Sequence, residues 1–180
     1  KDTDEADLQA LGVWARGDEL FLPHYEPVTF DGEEAEYPLH LNVVTLMSLG
    51  NHSANANLPS LQEISGMTVN AMWDSWVEIN PETAHEYHLK DDSRVRIESP
   101  YGAVETQVRL VPGLRPDVIN LPYNQGHKAV GRWARDRGVN GLELLGPASE
   151  PLTGLAAFTN TRVRIVPPAT EPTSAEEAHA

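Results

Sequence analysis

Arg94-Val95-Arg96-Ile97-Glu98-Ser99-Pro100-Tyr101-Gly102-Ala103-Val104-Glu105-Thr106-Gln107-Val108-Arg109-Leu110-Val111 is the stretch from which the fold can be read. Charged and β-branched residues alternate strictly from Arg94 to Glu98, the period of a strand with one buried face. Ser99-Pro100-Tyr101-Gly102 has turn chemistry, since Pro presets φ and Gly tolerates the reversed backbone. Alternation resumes from Ala103 to Val111, which predicts an antiparallel partner and so a hairpin. Downstream, Pro112-Gly113-Leu114-Arg115-Pro116 breaks the second strand. Asp117 to Leu121 predicts another strand, and Thr161-Arg162-Val163-Arg164-Ile165-Val166 a last one before the prolines. Between these two, His127 to Arg137 reads as a helix ended by Gly138.

Working upstream, Trp76-Val77-Glu78-Ile79 alternates and Leu39 to Met47 is an apolar run of β-formers. Asn80-Pro81-Glu82-Thr83 predicts a helix start, with Asn80 as cap and Pro81 in the first turn, running to about Leu89. A further short helix is predicted around Leu8 to Trp14. Six or so short strands with two or three short helices predict a mainly β (α+β) chain, a β-barrel with short capping helices. A βαβ sheet would need a more regular alternation of strands and helices.

Charge divides the chain into an acidic arm, a nearly neutral centre and a polar tail. Of 27 acidic and 13 basic residues, residues 1–36 carry 11 acids and 2 bases, and residues 37–167 carry 13 and 11. Residues 1–36 are therefore expected to form an extended arm or linker, 37–167 the barrel domain, and 168–180 a disordered tail. A net charge of −14 argues against a nucleic-acid partner, which needs clustered Lys and Arg. Zero cysteine excludes disulfides, thiolate zinc sites, and any cysteine-held iron-sulfur cluster within this chain. No window approaches the roughly 18 consecutive apolar residues of a membrane span. The chain starts at Lys1 without a Met or an apolar leader, which reads as a processed chain or a fragment.

Two segments can carry recognition chemistry. Ser48-Leu49-Gly50-Asn51-His52-Ser53-Ala54-Asn55-Ala56-Asn57 is a long loop of neutral amides and hydroxyls, suited to a heterocycle or a phosphate ester without burying charge, or equally to ordinary turns. Asn124-Gln125-Gly126-His127 precedes the predicted helix, whose N-terminus can cradle an anion or be merely capped. Gly126 would allow a ligand close to the backbone. On that helix Lys128, Arg132 and Arg135 would share a face, toward phosphates or toward solvent. His24, His40, His52, His85, His88 and His127 lack metal-motif spacing, and no Walker loop, Gly-x-Ser-x-Gly or Gly-x-Gly-x-x-Gly occurs. No residue of this chain is expected to be catalytic.

Certain segments resemble a known family. They are Tyr37-Pro38-Leu39-His40-Leu41, Asn57-Leu58-Pro59-Ser60-Leu61-Gln62-Glu63-Ile64 and Trp76-Val77-Glu78-Ile79-Asn80-Pro81-Glu82-Thr83-Ala84, followed by Val95 to Gly102, Gln125-Gly126-His127, Gly131-Arg132-Trp133-Ala134, Gly138-Val139-Asn140 and Thr161 to Ile165. In this order they resemble the C-terminal molybdopterin-dinucleotide-binding domain of the dimethyl sulfoxide reductase superfamily. Pro23-His24-Tyr25-Glu26-Pro27 and Gly131-Arg132-Trp133-Ala134 look most like its polysulfide reductase-like and alternative complex III branch.

The resemblance implies a double-psi β-barrel closing one side of a bis-molybdopterin guanine dinucleotide site. It implies cofactor contacts at Ser48, His52, Ser53 and Asn57 in the first loop, and at Gln125, His127, Arg132 and Asn140 along the pterin and phosphate side. Molybdenum or tungsten would be held elsewhere, by a larger Cys-containing catalytic portion, with iron-sulfur and membrane subunits as further partners. The acidic arm would then strap across that missing body. An exported, periplasmic or membrane-associated complex is the localisation that the branch implies. Two positions depart from the branch, Ser60 where Trp is usual and Val130 where Tyr is usual. They leave a second reading open: a barrel that has lost the cofactor and serves as a structural module in an alternative complex III-like quinol oxidoreductase.

Overall fold

The computed structural model describes residues 5–10, 12, 17, 22, 25, 27–50, 53–64, 70–129, 131–149 and 154–166. The expected disordered tail at 168–180 lies outside them, as do His24 and most of the Pro23 to Pro27 motif. A short helix α1 (Glu5–Ala10) precedes β1 (Leu39–Val44), α2 (Pro59–Gln62), β2 (Trp76–Ile79), α3 (Pro81–Glu86), β3 (Arg94–Glu98), β4 (Ala103–Leu110) and β5 (Val118–Pro122). A 3-10 helix (Gly141–Leu144) and β6 (Arg162–Val166) complete the order.

The six strands close into a barrel in the order β1-β5-β2-β4-β3-β6. β1 pairs parallel with β5 and β2 parallel with β4, while every other neighbouring pair is antiparallel. Exchanging β1, β2, β3 for β4, β5, β6 maps this pairing onto itself. Two halves of the chain are thus interleaved, as the double-psi expectation requires. The first strand of each half lies against the second strand of the other, so neither half has a sheet to fold onto alone. Closure also removes free sheet edges.

Alternation places the core. Leu39, Leu41 and Val43 of β1, Val95 and Ile97 of β3, Val104 and Val108 of β4, Ile119 and Leu121 of β5, and Val163 and Ile165 of β6 fill the interior. Each fully buried Leu, Ile or Val contributes about 1.5–3 kcal/mol. β2 is buried on both faces. Val77 and Ile79 point into the core, while Glu78 lies in an amide network. It accepts from Trp76 Nε1 at 3.2 Å and from Asn120 Nδ2 at 3.0 Å, and Asn42 Nδ2 donates to Asn120 Oδ1 at 2.9 Å. Asn80 caps α3 by accepting from Glu82 N at 2.7 Å, and α3 ends three residues before the predicted Leu89.

The acidic run 31–36 is not free of the barrel. Asp31 forms a parallel bridge with Thr161, its N–H donating to Asn160 O and its carbonyl accepting from Arg162 N, both at 2.8 Å. Arg162 pairs with Glu34 at 3.2 Å, and Arg164 with Glu36 at 3.1 Å and Glu98 at 2.7 Å. These acids are therefore satisfied by this chain's own β6 cations. Exposed pairs of this kind each contribute under about 1 kcal/mol, so the backbone bridge sets the register of the run.

Candidate functional site

Val44 lies opposite Pro122 in the parallel β1–β5 pair, so the segments that follow both strands emerge at the same end of the barrel. This gathers Ser48, Ser53 and Asn57 from one loop beside Gln125, His127, Arg132 and Asn140 from the other. Side-chain amides tie the two loops together. Fully buried Asn124 accepts from Leu46 N at 2.5 Å and donates to Gly50 O at 3.1 Å. Gln125 and Gln62, both buried, exchange amide bonds at 2.6 and 3.1 Å. Asn57 Oδ1 accepts from Trp133 N at 2.8 Å and Ala134 N at 3.3 Å, and Ser75 Oγ both accepts from Val139 N at 2.9 Å and donates to Val139 O at 3.2 Å.

The predicted helix from His127 to Arg137 is absent. The described residues there form turns, with a parallel bridge between His127 and Arg135. Gly126 N donates to Arg137 O at 2.7 Å and Asp136 N to His127 O at 2.9 Å, folding the segment back on itself. Gly131 and Asp136 have positive φ, which a continuous right-handed helix cannot contain. The helix N-terminal cradle is therefore lost, and Lys128, Arg132 and Arg135 share no helix face. Lys128 lies 3.6 Å from Glu143, while the Arg132 guanidinium stacks over Trp133 at 4.8 Å. At Gly126 the group that comes close is the Val139–Asn140 backbone of this chain, not open space for a ligand.

The candidate residues differ in what they leave free. Ser48 is half-buried on a narrow crevice shared with Gln62, Trp73, Trp76 and Gln125. Ser53 is half-buried, with φ +63°. His127 has a buried Nε2 with no hydrogen-bond partner, the orphan that a ligand donor would complete. Arg132 is exposed, and Asn140 Oδ1 caps the 3-10 helix by accepting from Leu142 N at 3.2 Å. Gln125 and Asn57 are engaged within the protein through the bonds above. His52 and Val130 lie outside the described residues, and Ser60 is exposed on α2. A hydroxyl pair, an unpartnered imidazole nitrogen and a guanidinium fit the acceptors and phosphates of a dinucleotide. Among the described residues no three His, Cys, Asp or Glu side chains cluster as metal ligands.

Gln62 and Trp133 lie in the segments that carry the resemblance, yet neither they nor Trp73 stood among the expected cofactor contacts. The two indole rings lie 6.3 Å apart, with Arg137 over Trp73 at 5.3 Å and Arg132 over Trp133. Trp73 has φ +61°, unusual for a bulky residue, and only the tertiary setting reveals it. A separate cleft of about 340 Å³ lies near the opposite ends of β1 and β5, lined by Phe30, His40, Asn42, Arg115 and Asp117 among others. Desolvation, then Arg162, holds the His40 pKa below the usual histidine range, and Phe30 packs on its ring at 4.5 Å.

A family model described as Molydopterin dinucleotide binding domain matches residues 49–162. An arsenate respiratory reductase molybdopterin-containing subunit from Shewanella sp. (strain ANA-3) is 32% identical over 88% of this chain and 19% of its own length. An assimilatory nitrate reductase catalytic subunit from Bacillus subtilis is 30% identical over 81% of this chain and 18% of its own. A menaquinone reductase, molybdopterin-binding-like subunit, from Nitratidesulfovibrio vulgaris is 28% identical over 81% of this chain and 21% of its own. The chain thus spans about a fifth of these relatives. The solved acetylene hydratase from Pelobacter acetylenicus shares the fold, with a TM-score of 0.57 at 18% identity, covering 80% of this chain and 21% of that one. By the match of 49–162, this chain belongs to the molybdopterin-dinucleotide-binding domain family, related to the dimethyl sulfoxide reductase superfamily of oxidoreductases.

Proposed function

We propose that this chain is the cofactor-binding portion of a molybdenum or tungsten oxidoreductase and contacts a bis-molybdopterin guanine dinucleotide through Ser48, His52, Ser53, Asn57, Gln125, His127, Arg132 and Asn140. The observation that carries the reading is the pairing of a neutral hydroxyl loop with the orphaned His127 Nε2 at one end of the barrel. Ser48 and Ser53 hydroxyls would bind phosphate or heterocycle acceptors, Arg132 would neutralise phosphate charge, and His127 Nε2 would accept from a ligand N–H or O–H. When bound, the metal-pterin group supplies the electron and oxo-transfer chemistry. Gln125 and Asn57 act in this reading by holding the loops, and the amide hydrogens not used in those bonds would be the ones left for the ligand.

The reading extends to partners. A larger Cys-containing catalytic portion would carry the metal ligand, with iron-sulfur and membrane subunits beyond it, in the polysulfide reductase-like or alternative complex III branch and at a periplasmic or membrane-associated location. The test is the native complex purified through this chain, analysed for copurifying polypeptides, metal and acid-released GMP. Molybdenum or tungsten with GMP supports the proposal, and an assembled, active complex without either refutes it. A second reading, a cofactor-less structural module, is favoured by the exposed Ser60 and by the likeness to a subunit titled molybdopterin-binding-like. The complex without metal or nucleotide would establish it.

A further inference from the structure

The Gln62–Gln125 pair is an internal clasp built with unusual completeness. Gln125 Nε2 donates to Gln62 Oε1 at 2.6 Å, and Gln62 Nε2 donates both to Gln125 Oε1 at 3.1 Å and to Ala56 O at 2.7 Å. The two carboxamides thus face each other as a reciprocal two-bond pair, and one of them also fixes the backbone between Ser53 and Asn57. Gln62 is 2% and Gln125 3% exposed, so water cannot replace either bond. One residue earlier, Asn124 holds Leu46 N and Gly50 O. Adjacent residues of the segment after β5 therefore grip the hydroxyl loop on both sides of Ser48 and Ser53.

None of these bonds belongs to the barrel ladder. Gln62 ends α2, Gln125 follows β5, and the strand pairs are made without them. The loop from Leu46 to Gln62 buries few large apolar side chains, Leu49 chief among them, so its shape rests on amide bonds rather than on packing. Resting on the cofactor reading above, we infer that Gln62 and Gln125 are positioning residues: their reciprocal amide clasp sets the distance between the Ser48/Ser53 hydroxyls and His127, and so the retention of the dinucleotide. Neither residue need touch the ligand by its clasped atoms.

An amide pair has a particular chemical signature. Gln125→Glu keeps the size and one acceptor but deletes the donor to Gln62 Oε1 and, when ionised, sets a carboxylate oxygen against that carbonyl. At this buried position the charged carboxylate is disfavoured and its pKa rises above that of a free glutamate, so lowering the pH to 5.5 protonates it; the acid–amide pair then again has one donor and one acceptor on each side, and the clasp is restored. The experiment uses the native complex carrying wild-type or Gln125→Glu chain and measures guanine nucleotide release after dilution at pH 5.5 and pH 8, each variant rate divided by the wild-type rate at the same pH. The expected ratio is about tenfold at pH 8, falling toward one at pH 5.5. A ratio near one at both pH values, or an equal elevation at both, overturns the clasp. Wild-type complex without nucleotide overturns the cofactor reading itself, and the clasp with it. Should Gln125→Glu not assemble, Gln62→Glu tests the clasp from the other side: the ratio should again exceed one at pH 8 and fall only in part at pH 5.5, because a single acid O–H cannot serve both Gln125 Oε1 and Ala56 O, and a ratio near one or equally raised at both pH values again overturns the clasp.

Discussion

Gly126→Ala is the sharpest test of the way the two loops meet. Gly126 has φ +86°, and an added Cβ would lie 2.5 Å from the Val139 carbonyl carbon and closer still to Asn140 N. Both are backbone atoms, so no rotamer change relieves the clash. The left-handed conformation costs an L-residue about 1–2 kcal/mol, and forcing extra volume against packed atoms adds about 1–3 kcal/mol. The sum is about 3 kcal/mol, or about 10 °C in melting temperature for a domain of this size. Gly113→Ala is the matched control, because nothing lies within 4 Å of its added Cβ and its φ is outside the left-handed region. It should be neutral or stabilise by up to about 1 kcal/mol. Urea denaturation of the chain followed by tryptophan fluorescence measures both, with Trp73 and Trp133 reporting from the site end. A Gly126→Ala variant within about 0.5 kcal/mol of wild type would refute the close approach of Val139–Asn140.

His127→Phe keeps an aromatic ring and removes the orphaned Nε2; nucleotide retention by the native complex should fall about tenfold with the melting temperature little changed, as read by GMP content after gel filtration. Asn120→Leu removes the donor to buried Glu78 and should cost about 1–3 kcal/mol in chemical denaturation, more than Leu58→Ala, a control at an exposed position. The Glu98 carboxyl is held below the usual 4.5 by hydrogen bonds from Arg96 and then Arg164, so its stabilisation is present above pH 4.5 and is lost as pH falls through the lower folded value. The melting-temperature gap between wild type and Glu98→Gln should accordingly shrink below pH 4.5. His40, whose pKa is held below 6.5 by desolvation first, favours the fold when neutral. Stability should drop as pH falls below 6.5, and His40→Gln should flatten that slope in a pH series of melts.

Period-two alternation made β3, β4 and β6 legible, because a strand with one wet face writes its register into its own residues. Asn80-Pro81 marked α3 for a similarly local reason, a cap and a preset φ. The 127–137 segment misled because its composition suits a helix while its turns are set by Gly131, Asp136 and Gly138 at positive φ. That conformation is chosen by bonds to Gly126, His127 and Ser75 rather than by neighbours in sequence. β2 offered only an alternation of four residues, and its second face is buried because Asn120 and Trp76 cover Glu78.

The strands, their buried faces, the cap of α3 and the neutral loop with its resemblance to a dinucleotide-binding domain are all written locally in the chain. These are properties of residue order over a few positions. Tertiary structure alone decided that β1 lies parallel to β5, joining residues 78 positions apart, and that Gln62 finds Gln125 across 63. It also decided that Glu34 and Glu36 pair at the surface with Arg162 and Arg164 of β6. Pairing at such separations depends on which closed arrangement satisfies every backbone and buried polar group at once, a condition that no short window of sequence contains.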